Sequence, residues 1–293
     1  MKILIYGAGV IGCLYAALFT EAGEDVTILA RGSGLDMLQN NGLKYSSGKN
    51  VKKANVRIIG DLDRNDNYDF IFVTVREHQL YDVLAVLRDN VSPNIVTMVN
   101  SIDTYDKWEN ICGSGRIIPA FPGAGGGFDG DVLDAALTPS FIQFTTFGEI
   151  NGRKTRRTDK LAKLFRRSKI PYQIVSDMHA WQICHLAMVV PLADAYYETT
   201  HPEKAGHDMK LMRKTVRRIK RNFGILKRCD VKLTPIKMEL FRLLPTGLLT
   251  VGLAATFKSG FGDKFMYRHS IKAPDEMREL HLKFYSYLKE SCY

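Results

Sequence analysis

Along the first 176 residues the hydrophobic pattern alternates between two periods. Continuous apolar or β-branched runs at residues 3–6, 26–29, 70–75, 95–99, 117–120, 141–147 and 172–175 predict strands. Between several of them apolar residues recur at helical spacing, as in Leu80, Val83, Leu84 and Leu87, and again in Leu161, Leu164 and Phe165. Strands alternating with amphipathic helices predict βαβ units and a largely parallel sheet, the doubly wound α/β class. From Met178 the strand signals stop and helical stripes take over. Asp177 is a candidate N-cap for the first of these helices. Thr234-Pro235 predicts a helix start with Pro at its first position. Pro274-Asp275-Glu276 opens a last helix with the stripe Met277, Leu280, Phe284 and Leu288. The expected organisation is an α/β domain over residues 1–176 and an all-α domain over residues 177–293.

The sharpest chemical signal lies at residues 2–31. A buried strand runs into Gly7-Ala8-Gly9-Val10-Ile11-Gly12, then into a helical run through Leu14, Ala17 and Leu18, then into a second strand. In that setting Gly7 makes the tight turn, Gly9 admits a pyrophosphate against the backbone, and Gly12 lets helix and strand pack closely. The pyrophosphate would sit at the positive end of the helix. A glycine-rich turn without a ligand is the plainer alternative; the strand–loop–helix–strand context favours dinucleotide binding by a Rossmann domain.

The residue after the second strand separates the two nicotinamide dinucleotides. A carboxylate there bonds the adenosine ribose and favours NAD. This chain has Arg31, with Ser33 close by, and a guanidinium suits a 2′-phosphate, so NADP(H) is the expected cofactor. The competing reading is a solvated loop arginine.

Composition narrows the field. With 45% hydrophobic and 25% charged residues the chain is an ordinary globular protein. Its five cysteines are odd in number and far apart, with no Cys-x-x-Cys pair, which argues against a disulfide framework, against structural zinc or another metal site, and for a reducing compartment. No secretory leader is expected, and the longest uncharged stretch, residues 243–257, falls short of the ~20 residues that span a bilayer. The expected location is the cytoplasm. The net charge of +10 suits a small anionic substrate or cofactor. Nine Lys/Arg lie in residues 208–228, but Met209, Met212, Val216, Ile219, Phe223 and Leu226 form an apolar stripe through them. The charges then read as the solvated face of a helix, and neither a nucleic-acid nor a membrane partner is expected. The run Gly123-Ala124-Gly125-Gly126-Gly127 reads as a flexible hairpin or as a place where backbone meets ligand.

Taken with Thr74-Val75-Arg76-Glu77-His78-Gln79, Asn100, the segment from Trp181 and the Glu276-Met277 helix, these motifs make the chain resemble the ketopantoate reductase (2-dehydropantoate 2-reductase) family. The resemblance implies an NADPH-dependent 2-oxo acid reductase in which a Rossmann domain precedes a helical domain for substrate and dimer contacts, with the active site in the cleft between them. It implies that Arg76, in place of a family Lys, and Gln79 flank the cofactor. Asn100 would lie near the nicotinamide ribose and the reacting carbonyl, with Ser101 where the family has Gly, and Glu276 near nicotinamide and substrate. Asn100 could instead cap a turn before Asp103, and Glu276 could be a first-turn helix carboxylate.

The same resemblance breaks on the helix after the linker. The family carries Lys, Asn and Asn at i, i+4 and i+8 on one helical face, the Lys being the proton donor to the carbonyl oxygen. The corresponding residues here are Ile183, Ala187 and Pro191. His185 is the nearest titratable group on that helix, about 200° around from Ile183. It is the candidate general acid if it is not a core histidine. An altered homologue that binds NADP(H) as a sensor or partner-binding protein is the competing reading of function.

Overall fold

The computed structural model describes every residue except Ala273 and Tyr293, and the side chains of all the others except His269, Lys272, Ser291 and Cys292. The chain divides into two compact units, Met1–Met178 and His179–Tyr293.

The first unit contains, in chain order, β1 (Lys2–Tyr6), α1 (Val10–Glu21), β2 (Asp25–Leu29), α2 (Gly32–Asn41), β3 (Leu43–Ser47), β4 (Asn50–Ala54) and β5 (Arg57–Ile59). These are followed by β6 (Phe70–Val73), α3 (Glu77–Arg88), β7 (Ile95–Thr97), α4 (Tyr105–Cys112), β8 (Ile117–Phe121), β9 (Ala124–Asp129) and β10 (Val132–Leu137). Then come β11 (Thr145–Phe147), α5 (Arg156–Arg167) and β12 (Tyr172–Ile174). Eight strands form one sheet in the order β12-β11-β8-β7-β6-β1-β2-β5. Every pairing in it is parallel except β11 against β8. The central strands are buried on both faces, which is why they read as continuous apolar runs. Ile3, Ile5, Phe70 and Phe72 join the core formed with α1 and α5. Phe165 of α5 is its hub, with the rings of Tyr15, Phe19, Phe72, Phe147 and Tyr172 all centred within 6.3 Å of its own.

The sequence pattern did not foretell a second sheet of order β4-β3-β10-β9. It is bound to α1 by Tyr45 and Lys52, which donate to the Glu21 carboxylate at 2.6 and 3.0 Å. The glycine run at residues 123–127 leads into and forms one arm of the β9–β10 hairpin of this sheet, as the hairpin reading expects. Gly126, at φ +147°, pairs with Ala135, and a Cβ there would lie 2.3 Å from the Asp134 carbonyl oxygen. Its glycine serves backbone contact between strands. The strand expected over residues 141–147 is shorter, because Ile142 turns back to bond the Pro139 carbonyl and Phe141 stands 82% exposed.

The second unit is helical: α6 (Met178–Tyr197), α7 (Met209–Arg228), α8 (Ile236–Leu243), α9 (Thr246–Phe257), α10 (Arg268–Lys272) and α11 (Pro274–Cys292). A 3₁₀ turn at Pro202–His207 and a π turn at Gly262–Tyr267 connect them. α6 is buried nearly all round, as its uniformly apolar sequence requires. Met212, Val216, Ile219, Phe223 and Leu226 of α7 and Met277, Leu280, Phe284 and Leu288 of α11 face the core. Met209 does not; it begins α7 and is half exposed. α8 starts one residue later than expected, with Pro235 at its N-cap. Cys13, Cys112 and Cys184 are free and buried. Cys229 is disulfide-bonded. Among the described residues no single helix is long and apolar enough to cross a membrane.

Candidate functional site

The sequence-predicted cofactor residues of the first unit gather at the carboxyl ends of β1, β2, β6 and β7. Tyr6 ends β1, and Gly7 turns the chain at φ +117° while its N–H donates to the Leu29 carbonyl at 3.0 Å. A Cβ on Gly7 would stand 3.1 Å from the Thr74 carbonyl, so the turn is pressed against the end of β6. Gly9 is the N-cap of α1, in an ordinary extended conformation, and a Cβ there would meet nothing within 4 Å. Gly12 is the opposite case. Its Cβ would lie 2.1 Å from the Gly7 carbonyl oxygen and 2.5 Å from Thr74 Oγ1. One glycine leaves open space above the helix start, and the other closes the loop onto the helix.

α1 begins with no side-chain cap and no acidic residue in its first turn. The N–H groups at its start, with Ala8, Val10 and Ile11 flanking Gly9, thus keep their affinity for an anion. Thr74 supports the turn by donating from Oγ1 toward the Gly7 and Tyr6 carbonyls at 3.1 and 3.3 Å. Within the recognised Thr74–Gln79 motif this support role had no sequence signal of its own.

Arg31 is the exposed N-cap of α2 at the end of β2. Its Nη2 donates to the Tyr6 hydroxyl at 3.1 Å, and its guanidinium carbon lies 5.9 Å from the Tyr6 ring centre. Tyr6 is 3% exposed, and burial raises its pKa against the lowering influence of Arg31. A nearly immobile phenol therefore holds the cation in place. In the sequence Tyr6 shows only as a strand residue, because its partner Arg31 is 25 positions away.

Arg76 and Gln79 open α3. Gln79 Oε1 accepts from the Arg76 N–H at 3.2 Å, so this amide caps its own helix. The loop after β7 is tied to the same helix. Ser101, fully buried, donates to Glu77 Oε1 at 2.7 Å and accepts from the Asp103 N–H at 3.1 Å. Tyr81 in turn donates to Asp103 at 2.6 Å, and desolvation together with that carboxylate pushes the phenol up to about 12. Ser101, not Asn100, thus serves the turn before Asp103. The Asn100 side-chain oxygen is buried and makes no hydrogen bond. A buried acceptor of that kind costs free energy unless a partner arrives. Open space at Gly9, bare N–H groups on α1, a cation beyond β2 and an idle acceptor beyond β7 fit a dinucleotide.

In the second unit Glu276 lies in the first turn of α11, partly buried. On α6, Ile183 and Ala187 are 1% and 0% exposed, and Pro191 is buried. Pro191 has no N–H, which frees the carbonyl four residues back. That carbonyl, of Ala187, accepts instead from Asn222 Nδ2 of α7 at 3.2 Å. His185 is buried, with its ring stacked 5.2 Å from that of Trp181. Desolvation, followed by the charge of Lys237, lowers its pKa to about 3. Its enclosure and stacking match the core-histidine alternative. Ser259, just past the end of α9, donates to the Thr256 carbonyl at 2.6 Å and accepts from the Gly262 N–H.

A doubly wound domain with this loop belongs to the dinucleotide-binding class. Residues 3–148 match the family model described as ketopantoate reductase PanE/ApbA. The first unit thus carries a domain of the ketopantoate reductase family, a family of nicotinamide-dependent reductases. Among curated proteins it is 31% identical over 140 residues to a 2-dehydropantoate 2-reductase of Mesorhizobium japonicum, covering 46% of this chain and 38% of that one. It is 27% identical over 190 residues to one of Pyrococcus abyssi, covering 62% and 58%. Across the first five such relatives the aligned stretch spans between 30% and 58% of the relative's length. The fold is shared more widely. A 2-dehydropantoate 2-reductase from Geobacter metallireducens superposes with a TM-score of 0.67 at 15% identity, over 98% of this chain and 99% of that one. D-mandelate dehydrogenase, in a ternary structure with NADH and anilino(oxo)acetate, reaches 0.62 at 13% identity, over 99% and 98%.

Proposed function

We propose that this protein is an NADPH-dependent reductase of a small 2-oxo acid, with ketopantoate the first substrate to assay. The observation that carries the reading is the pairing of a bare helix start above Gly9 with a cation, Arg31, at the end of the neighbouring strand. The pyrophosphate would rest on the N–H groups of α1, where no Cβ intrudes. Arg31, presented by Tyr6, would make charge-assisted hydrogen bonds to a 2′-phosphate. Asn100 would receive a donor on its idle oxygen. When bound, the reduced nicotinamide supplies a hydride to the substrate carbonyl carbon.

A second reading is favoured by α6. Ile183 carries no proton to give, and desolvation of buried His185 lowers its pKa, so α6 offers little support for the general acid that carbonyl reduction uses. In that reading the protein binds NADP(H) without reducing ketopantoate, as a sensor or a partner-binding homologue. Nicotinamide fluorescence titration, followed by NADPH oxidation with a panel of 2-oxo acids, separates the two. Tight NADPH binding with turnover supports reduction, and tight binding without turnover across the panel supports the second reading. Equal affinity for NADPH and NADH removes the 2′-phosphate from Arg31.

A further inference from the structure

The whole net charge of the protein resides in three consecutive helices. Residues 209–257 hold twelve Lys/Arg against two acidic residues, Asp230 and Glu239, an excess equal to the chain's total of +10. Lys210, Arg213, Lys214, Arg217, Arg218 and Arg221 line one continuous groove along α7. Among the described residues Glu198 is bonded to Lys214 and Arg218, Glu239 to Lys227 and Arg242, Asp208 caps the start of α7, and Asp194 lies near Arg218. They neutralise only part of the stripe.

Beside it α8 and α9 expose large aliphatic side chains. Ile236, Leu240 and Leu243 of α8 and Leu248 and Val251 of α9 are between 56% and 82% exposed. The two helices meet at a bend of 119°, which makes an apolar elbow. The basic helix lies directly alongside: Lys220 Nζ donates to the Leu244 carbonyl in the elbow at 2.7 Å, and Lys227 reaches Glu239 of α8 at 2.8 Å.

We infer that α7, α8 and α9 form a docking surface for an anionic bilayer, with the α7 cations on lipid headgroups and the elbow side chains in the boundary between headgroups and acyl chains. Charge alone would suit any polyanion, but the protruding aliphatics give a nucleic acid nothing to bind, and no aromatic stacking platform accompanies them. Protein interfaces are enriched in aromatic anchors, whereas the exposed apolar residues here are all Leu, Ile and Val. A second copy of the chain would bring two strongly basic stripes together. Surface association needs no spanning helix, so it departs from the sequence-based expectation of no membrane partner without contradicting the hydropathy behind it.

The test is co-sedimentation of the full chain with vesicles of phosphatidylcholine alone or mixed with phosphatidylglycerol, at low and high salt. Binding is expected only with the anionic mixture, weakening as salt rises. Replacing Lys210, Arg213 and Arg217 with Gln should weaken it by roughly fivefold per cation removed. Leu243→Ser with Leu248→Ser should weaken it by tenfold or more, with melting temperature and NADPH affinity unchanged for both variants. Loss with the charge variant alone, and none with the Leu variant, would overturn the bilayer in favour of a soluble polyanion. No vesicle binding overturns it outright. If the chain then proves dimeric by light scattering and the Leu variant monomeric, a second copy is the occupant.

Discussion

Gly9 and Gly12 sit three residues apart in one loop, yet the structure assigns their alanine variants opposite phenotypes. Gly9→Ala places a methyl in open space on a backbone at φ −78°, ψ −178°, a conformation any residue adopts. The folded state loses nothing, and the methyl stands where the pyrophosphate would approach. Gly12→Ala drives a methyl to 2.1 Å from a backbone carbonyl that cannot swing aside. Overpacking of this kind costs ~1–3 kcal/mol, and a contact this short belongs at the upper end. Alanine's helix propensity returns about 1 kcal/mol. The net loss is then ~2 kcal/mol, or roughly 4–8 °C in melting temperature for a domain of this size. Thermal unfolding without cofactor, paired with NADPH fluorescence titration, reads both axes. Gly9→Ala should melt within about 1 °C of the parent and bind NADPH at least tenfold more weakly. An unchanged melting temperature for Gly12→Ala, or equal losses of stability for both, would refute the division of labour between the two glycines.

Three further outcomes follow from particular contacts. Arg31→Ala should abolish the preference of NADPH over NADH, and Tyr6→Phe should lower it by a smaller factor while leaving NADH affinity unchanged; titration with both cofactors measures this. His185 is neutral in the folded state down to about pH 3, whereas the unfolded chain takes up its proton below ~6.5. Its contribution makes stability fall as pH drops from 6.5 toward 3, by up to about 1.4 kcal/mol per pH unit, and His185→Gln should flatten that part of the denaturation-midpoint profile. Asn222→Ala should cost ~1–3 kcal/mol by leaving the Ala187 carbonyl unbonded. In a Pro191→Ala background, where residue 191 regains its N–H, the same change should cost less, and a double-mutant cycle by urea unfolding gives the coupling.

How far the sequence could be read depended on how local the determinants are. β1, α1, β2 and the glycine loop are specified by contiguous residues, and the elements, the tight turn at Gly7 and the close packing at Gly12 were legible there. Strands β3, β4, β9 and β10 were not, because their pattern is half-exposed, glycine-bearing and charged, and only packing on α1 makes them a sheet. The cationic tip at Arg31 was legible from its place after β2. Its Tyr6 support was not, since it depends on a pairing between strands. Ser101 was noted only as a departure from the family's Gly, and its bond to buried Glu77 required the register of β7 beside β6. The lowered pKa of His185 was not legible either, because it is set by how completely α6 is enclosed.

The bond from Asn222 to the Ala187 carbonyl bears on how α6 can change. Its acceptor exists only because Pro191 withholds an N–H, and its donor lies on a different helix. Pro191→Asn, one step toward the family's polar face, would close the carbonyl within α6 and strand the Asn222 amide in the core. Changing Asn222 first would strand the carbonyl instead. Neither order is smooth, so a change that restores an N–H at position 191 calls for paired substitutions at 191 and 222. Restoring the polar positions 183, 187 and 191 in this protein is therefore a problem of two helices, and the sequence of steps decides which intermediates survive.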